Sequence, residues 1–116
     1  MSQSIAVRQV APDVCVAGQL APEAMAAVAK AGFRSVVNNR PDFEYGPDQP
    51  THAAIEAAAR AAGLEYRFLP VAPGTQTAEQ IAAFASLLDE LPRPVLAFCR
   101  TGTRSAQLFA QAQAAG

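Results

Sequence analysis

The sequence has no tryptophan, a single histidine and only two cysteines, Cys15 and Cys99, among its 116 residues. Two thiols cannot build a disulfide scaffold, and one imidazole beside them is too small a set of soft ligands for a structural zinc. No metal and no organic cofactor is therefore expected, and a cysteine that matters here matters as a thiol. Charge is also scarce: 16% of residues are charged and the formal net charge is −1, which excludes the basic footprint of a nucleic-acid-binding surface. No run approaches the roughly 18 uninterrupted apolar residues of a membrane span. Met1-Ser2-Gln3-Ser4 lacks the basic then apolar run of a signal peptide, so the expectation is a cytoplasmic protein without membrane or nucleic-acid partners. What the sequence does hold is apolar: 51% hydrophobic residues suit one compact domain over 1–116 and are too many for a disordered chain.

Along the chain, Ile5 to Val10 and Val14 to Ala17 read as two strands joined by the turn Ala11-Pro12-Asp13. Pro22 suits a first helical position and Gly32 a stop, which predicts a helix over Pro22 to Ala31, followed by a strand from Phe33 to Asn38. Asn39 to Pro50 holds three prolines, a glycine and the acids Asp42, Glu44 and Asp48, and must be a loop. Loops this long without structure of their own are uncommon and often functional. Thr51 to Ala62 is the second helix, and His52 on its first turn is expected to be exposed and without partners for a triad. Glu65 to Leu69 reads as a strand. Thr77-Ala78-Glu79-Gln80 has the form of a capping box, so Thr77 to Leu91 is a third helix with Ile81, Phe84, Leu88 and Leu91 as its core stripe. Val95 to Phe98 is a short apolar run, as in a strand covered on both faces. Alternating strands and helices predict an α/β sandwich with a mainly parallel central sheet flanked by helices, whose ligands gather at the carboxyl ends of strands.

Cys99 lies at such an end, and Ala106 to Ala110 beyond it reads as a further helix. A turn from strand end to helix start aims successive backbone N–H groups into one cavity, and the helix dipole adds to them. Arg100, Thr101, Gly102, Thr103 and Arg104 thus form an anion cradle whose field lowers the Cys99 pKa. Gly102 turns the loop without a Cβ in the pocket, and Ser105 is positioned to donate to the thiolate. Positive charge at a helix start opposes the dipole, so Arg104 reads as the partner of an anion. Arg40 either ties its loop to a carboxylate such as Glu44 or adds a charge at the pocket mouth. Cys15 is expected to pack in the sheet.

The order Cys99, Gly102, Arg104, Ser105 resembles the phosphate-binding loop of cysteine-dependent protein phosphatases. Together with Gly18-Gln19-Leu20, Asn38-Asn39-Arg40-Pro41-Asp42, Gly63-Leu64-Glu65-Tyr66 and Leu69-Pro70-Val71, it resembles the phosphatase-like domain of the bacterial β-lactamase-hydrolase-like proteins, a family also described as sulfur transferases. The resemblance implies a small dual-specificity-phosphatase type of fold, with Cys99 as nucleophile and Arg104 as the anion-binding arginine. Related domains resemble one half of fusions with a metallo-β-lactamase-like persulfide oxidising enzyme, which implies a persulfide dioxygenase-like partner.

The departures from a true phosphatase bear on the reaction. Tyrosine phosphatases place five residues between Cys and Arg, where this loop has four. They also carry a His before the Cys, where Phe98 stands here, and an acid on a loop that reads Ala72-Pro73-Gly74-Thr75 in this chain. Expelling an alkoxide or phenolate from phosphorus needs a proton donor, worth roughly 10²–10⁴ in rate. Sulfite or a thiolate leaves without one, and a four-residue gap also resembles rhodanese-type loops. The favoured reading is a sulfurtransferase that takes a small sulfane-sulfur donor and forms a persulfide on Cys99. The alternative is hydrolysis of phosphate esters through a Cys99 phosphoenzyme, with Asp42 or Glu44 as acid if the long loop folds over the cradle. A third is an anion-binding module without turnover.

Overall fold

The computed structural model describes residues 5–74 and 76–115. Its one sheet contains β1 (Val7–Ala11), β2 (Val14–Ala17), β3 (Ser35–Asn38), β4 (Glu65–Phe68) and β5 (Val95–Phe98), in the spatial order β1-β2-β5-β3-β4. β1 and β2 form an antiparallel ribbon, and the pairs β2–β5, β5–β3 and β3–β4 are all parallel. Helices α1 (Met25–Lys30), α2 (His52–Ala61) and α3 (Ala78–Glu90) return the chain between parallel strands, and α4 (Thr103–Ala115) follows β5. This is the expected α/β sandwich with a mostly parallel sheet.

Strand periodicity sorts the core into two layers. In β5, Val95 and Ala97 pack with Phe84, Leu88, Leu108 and Ala112 beneath α3 and α4. Leu96 and Phe98 face the other way, onto Met25, Val28, Ile55 and Ala59 of α1 and α2. Both faces being covered explains why β5 reads as a continuous apolar run. The neighbouring strands β3 and β5 are followed by helices on opposite faces, so a crevice opens between their carboxyl ends, and Asn39 and Cys99 sit there.

The termini of elements depart from the sequence reading in ways with local causes. The helix expected from Pro22 opens as a 3₁₀ turn, Pro22–Ala24, before α1 begins at Met25. Ala21 has no side chain to cap it, and the turn closes instead through Ala24 N–H to Ala21 O at 2.9 Å. Thr51 caps α2, and Thr77 with Gln80 forms the capping box of α3. The largest difference is α4, which starts at Thr103 rather than Ala106 and so takes Arg104 and Ser105 into its first turn. Among the described residues no helix is long and apolar enough to cross a membrane.

Candidate active site

The Cys99 loop is held by backbone contacts that small residues alone allow. Cys99 N–H donates to Ala17 O at 3.3 Å and Gln19 N–H to Arg100 O at 3.1 Å, which bring the end of β2 against the loop. A Cβ on Gly18 would lie 3.1 Å from Arg100 O. Gly102 has φ +91°, and a Cβ there would lie 3.3 Å from the Ala17 backbone. This close approach folds the loop back on its own cysteine: Gly102 N–H donates to Cys99 Sγ at 3.1 Å, and the sulfur is buried.

Burial pushes the Cys99 thiol up, but the Ser105 and Thr101 N–H groups, the Ser105 hydroxyl and the Gly102 N–H more than offset it, so the pKa is lowered. These loop N–H groups turn toward the sulfur itself. Thr101 Oγ1 accepts the Thr103 N–H at 3.4 Å and donates to Thr103 Oγ1 at 3.2 Å, which stiffens the start of α4. The Ser105 hydroxyl has a second neighbour, Asn39 Oδ1 at 2.8 Å, to which it donates.

Glu44 from the long loop reaches the Cys99 loop. Arg104 Nη2 donates to Glu44 Oε1 at 3.3 Å, and Arg104 Nη1 donates to Val71 O at 2.8 Å. Glu44 Oε2 lies 3.0 Å from Arg104 Nη1 without an aligned proton, so that contact is ionic. Arg40 Nε donates to the same carboxylate at 3.0 Å, while Arg40 Nη1 donates to Gln19 Oε1 at 2.9 Å. Burial pushes the Glu44 carboxyl up, but its bonds and charge attraction to Arg104 and Arg40 prevail and lower its pKa. Glu44 is an ionised bridge between two arginines, which is the opposite of what a proton donor requires. Arg104 keeps its Nε proton and one proton on each Nη without a hydrogen-bond partner among the described residues.

Asp42 turns away from this site. Its Oδ1 accepts the His52 N–H at 2.8 Å at the start of α2, and its Oδ2 lies 3.9 Å from His52 Nε2. His52, expected to be exposed and alone, is instead part-buried and stacked on Phe68 at 4.0 Å between ring centroids. Cys15 packs in β2 as expected. Its register partner is Leu96, three residues short of Cys99, or about 10 Å along the strand and beyond disulfide reach.

A cavity of about 240 Å³ opens over the loop, lined by Tyr45, Pro73, Gly74, Arg100, Thr101, Thr103, Arg104 and Gln107. Tyr45, given no role by the sequence reading, carries two guanidinium groups over its ring, Arg100 at 4.9 Å and Arg40 at 5.5 Å. The Arg100 side chain thus lines the cavity against Tyr45. Asn39 and Gln19 were also missed as functional residues, although both lie within the motifs that carry the family resemblance. Among the described residues no cluster of His, Cys, Asp or Glu could hold a metal ion.

A parallel sheet that delivers a cysteine to the mouth of a helix, with an arginine in the first turn, defines a phosphatase-like α/β domain. A crystal structure of a candidate phosphatase from Neisseria meningitidis superposes with a TM-score of 0.83 at 28% identity, covering 91% of this chain and 75% of that one. The family described as the phosphatase-like domain of β-lactamase hydrolase-like protein matches residues 6–116, and the chain belongs to it. It is 39% identical over 97 residues to the β-lactamase hydrolase-like protein of Xylella fastidiosa strain Temecula1, covering 84% of this chain and 22% of the relative. The Agrobacterium fabrum protein of the same description is 38% identical over 99 residues, covering 85% of this chain and 23% of the relative. The chain thus spans under a quarter of the length of the curated relatives it matches.

Proposed function

We propose that this domain is a cysteine-dependent sulfurtransferase acting on a small anionic sulfane-sulfur donor. The observation that carries the reading is the charge of the cavity beside the Cys99 loop: among the described residues it is lined by Arg100 and Arg104 and by no carboxylic acid, while Glu44 is ionised between two arginines and Asp42 accepts from the first N–H of α2. The Cys99 thiolate attacks the outer sulfur of thiosulfate. A new S–S bond forms on Cys99, the sulfur–sulfur bond of the donor breaks, and its electron pair leaves on sulfite without needing a proton. The persulfide then passes its outer sulfur to a thiol acceptor by thiol exchange. Loop N–H groups and the free N–H groups of Arg104 bind the oxyanion, and Arg100 draws the donor to the mouth. A persulfide-oxidising partner would consume the product of such a reaction.

Hydrolysis of phosphate esters is the second reading, favoured by the likeness to the Neisseria protein described as a candidate phosphatase. Intact mass after thiosulfate treatment, with Cys99→Ser as control and an aryl phosphate assayed in parallel, separates the two. Sulfur transfer adds one sulfur atom that cyanide or thiol removes, with negligible ester turnover. Cys99-dependent ester turnover without persulfide would overturn the proposal.

A further inference from the structure

Gln76 is buried in the segment that leads into α3. Its Nε2 donates to Gly74 O at 3.0 Å, and because a carbonyl only accepts, the NH₂ end of Gln76 must face that way. An amide nitrogen has a second proton, and this one is given to Gln107 Oε1 on α4 in a long bond of 3.4 Å. Turning the Gln107 amide over would set NH₂ against NH₂, so Gln76 fixes its sense. With Oε1 taken by Gln76, the polar atom that Gln107 has left to offer the cavity it lines is Nε2, which donates to no partner among the described residues. Gln107 stands three residues after Arg104 and four after Thr103, spacings that make their side chains neighbours on one face of α4. Side chains on a helix lean toward its N-terminus, so Gln107 leans toward the Cys99 loop. Arg104, whose side chain is 8% exposed, keeps unpaired N–H groups of its own, and Arg100 lines the same cavity. Spare donors on a buried cation and an oriented amide beside it call for an acceptor that carries negative charge.

We propose that Gln107 is a substrate-binding residue whose Nε2 donates to an oxyanion bound against Arg104, and that Gln76 is the positioning residue that holds the amide in that sense. The inference rests on the proposed sulfur transfer for what the oxyanion is: the SO₃ end of thiosulfate, and then the departing sulfite. An amide N–H binds an oxyanion without giving it a proton, which suits a leaving group that needs none.

The test uses inorganic sulfate, whose protection of Cys99 against iodoacetamide gives a dissociation constant with no reaction taking place. The ratio of alkylation rates with and without sulfate cancels any change in the thiol itself. Gln107→Met keeps the length and helical preference of the side chain at an exposed position and removes its donor. It is expected to weaken sulfate about tenfold, the scale of one hydrogen bond to a charged group. Gln76→Met lets the Gln107 amide turn, so the binding sense becomes one of two and the loss should be about twofold. Beside Gln107→Met, the same change should cost nothing more, since the two act as a unit.

Sulfate held as tightly by Gln107→Met as by wild type would overturn the proposal, as would a wild type that sulfate does not protect. A Gln76→Met loss that persists in full beside Gln107→Met would mean that Gln76 only shapes its own loop, and would overturn the clamp. Gln107 is exposed, so its variant decides the matter if Gln76→Met fails to fold. A chain that binds sulfate in the expected pattern but transfers no sulfur from thiosulfate would refute the functional reading and leave Gln107 standing as an anion ligand.

Discussion

Replacing Glu44 with glutamine tests how the long loop is coupled to the Cys99 loop. The carboxylate side chain is 10% exposed and the Arg40 and Arg104 side chains 8%, with N–O separations of 3.0 Å to each arginine. Glutamine keeps the length and one accepting oxygen but turns an NH₂ group toward a guanidinium. Two buried cations then lose the carboxylate that both of them share. Removing one partner of a buried ion pair costs about 3–5 kcal/mol, and the retained oxygen holds the effect near the lower figure. For a domain near 100 residues, each kcal/mol moves Tm by roughly 4–8 °C, so the variant should melt on the order of 12 °C or more below wild type at pH 7.

The pH dependence has a definite sign. Glu44 has a folded-state pKa below its ordinary value, so its contribution is fully present above the unfolded pKa of about 4.3 and is lost as pH falls through the folded value. The gap between wild type and Glu44→Gln must therefore close on acidification below about pH 4. Sulfate or thiosulfate binding beside Arg104 would replace the missing charge, so the variant should gain more Tm per increment of anion than wild type. Thermal unfolding over pH 3–8 with and without sulfate reads all three effects. A Glu44→Gln protein as stable as wild type at pH 7, or one indifferent to sulfate, would refute the coupling.

For Cys99, the pKa lies below the ordinary thiol range, so the rate of persulfide formation should rise with pH and level off before the reference value of about 8.5. A pH–rate profile that inflects at or above that value would contradict the cradle. Gly102→Ala forces a Cβ onto a residue at φ +91° and to within 3.3 Å of the Ala17 backbone. A loss of about 1–3 kcal/mol in urea unfolding is expected, with slower Cys99 alkylation, and an unchanged urea midpoint would rule out the tight approach. Arg104→Lys cannot serve Val71 O, Glu44 and a bound anion from one planar fork, so kcat/KM for thiosulfate should fall about 10²-fold or more, and a rate equal to wild type would remove Arg104 from the reaction.

The parts legible in the sequence are those governed by local rules. β5 declared itself through four apolar residues before the cysteine, and α3 through its capping box and the stripe of Phe84, Leu88 and Leu91. The loop after Cys99 was legible because glycine, arginine and serine stand at fixed offsets within one turn. What was not legible depends on contacts between distant segments. Glu44 and Arg104 are separated by 60 positions, and Ser105 and Asn39 by 66. Nothing in the composition of the long loop distinguishes Glu44, which reaches the site, from Asp42, which turns back to cap α2. Tyr45 is exposed and looks like any loop aromatic until two arginines from different segments are placed over its ring. The early start of α4 was hidden for the opposite reason, since the loop motif and the first helical turn are the same residues.

The balance of charge then bears on the chemistry. Three arginines and one carboxylate gather at the crevice, and that carboxylate is held ionised by two of the cations. Such a site attracts a dianion and stabilises a thiolate, both of which serve attack on sulfur and attack on phosphorus equally well. The difference lies in the departing group. A phenolate or alkoxide leaving phosphorus must find a proton, and the groups that line this cavity are guanidinium, hydroxyl, amide and backbone, none of which readily gives one at neutral pH. In the proposed sulfur transfer, sulfite would depart with its charge already spread over three oxygens, with Arg104 beside the loop to pair with it. The same cradle can therefore support either reaction in its first contact with substrate, but the charges around it favour the one whose leaving group needs no acid.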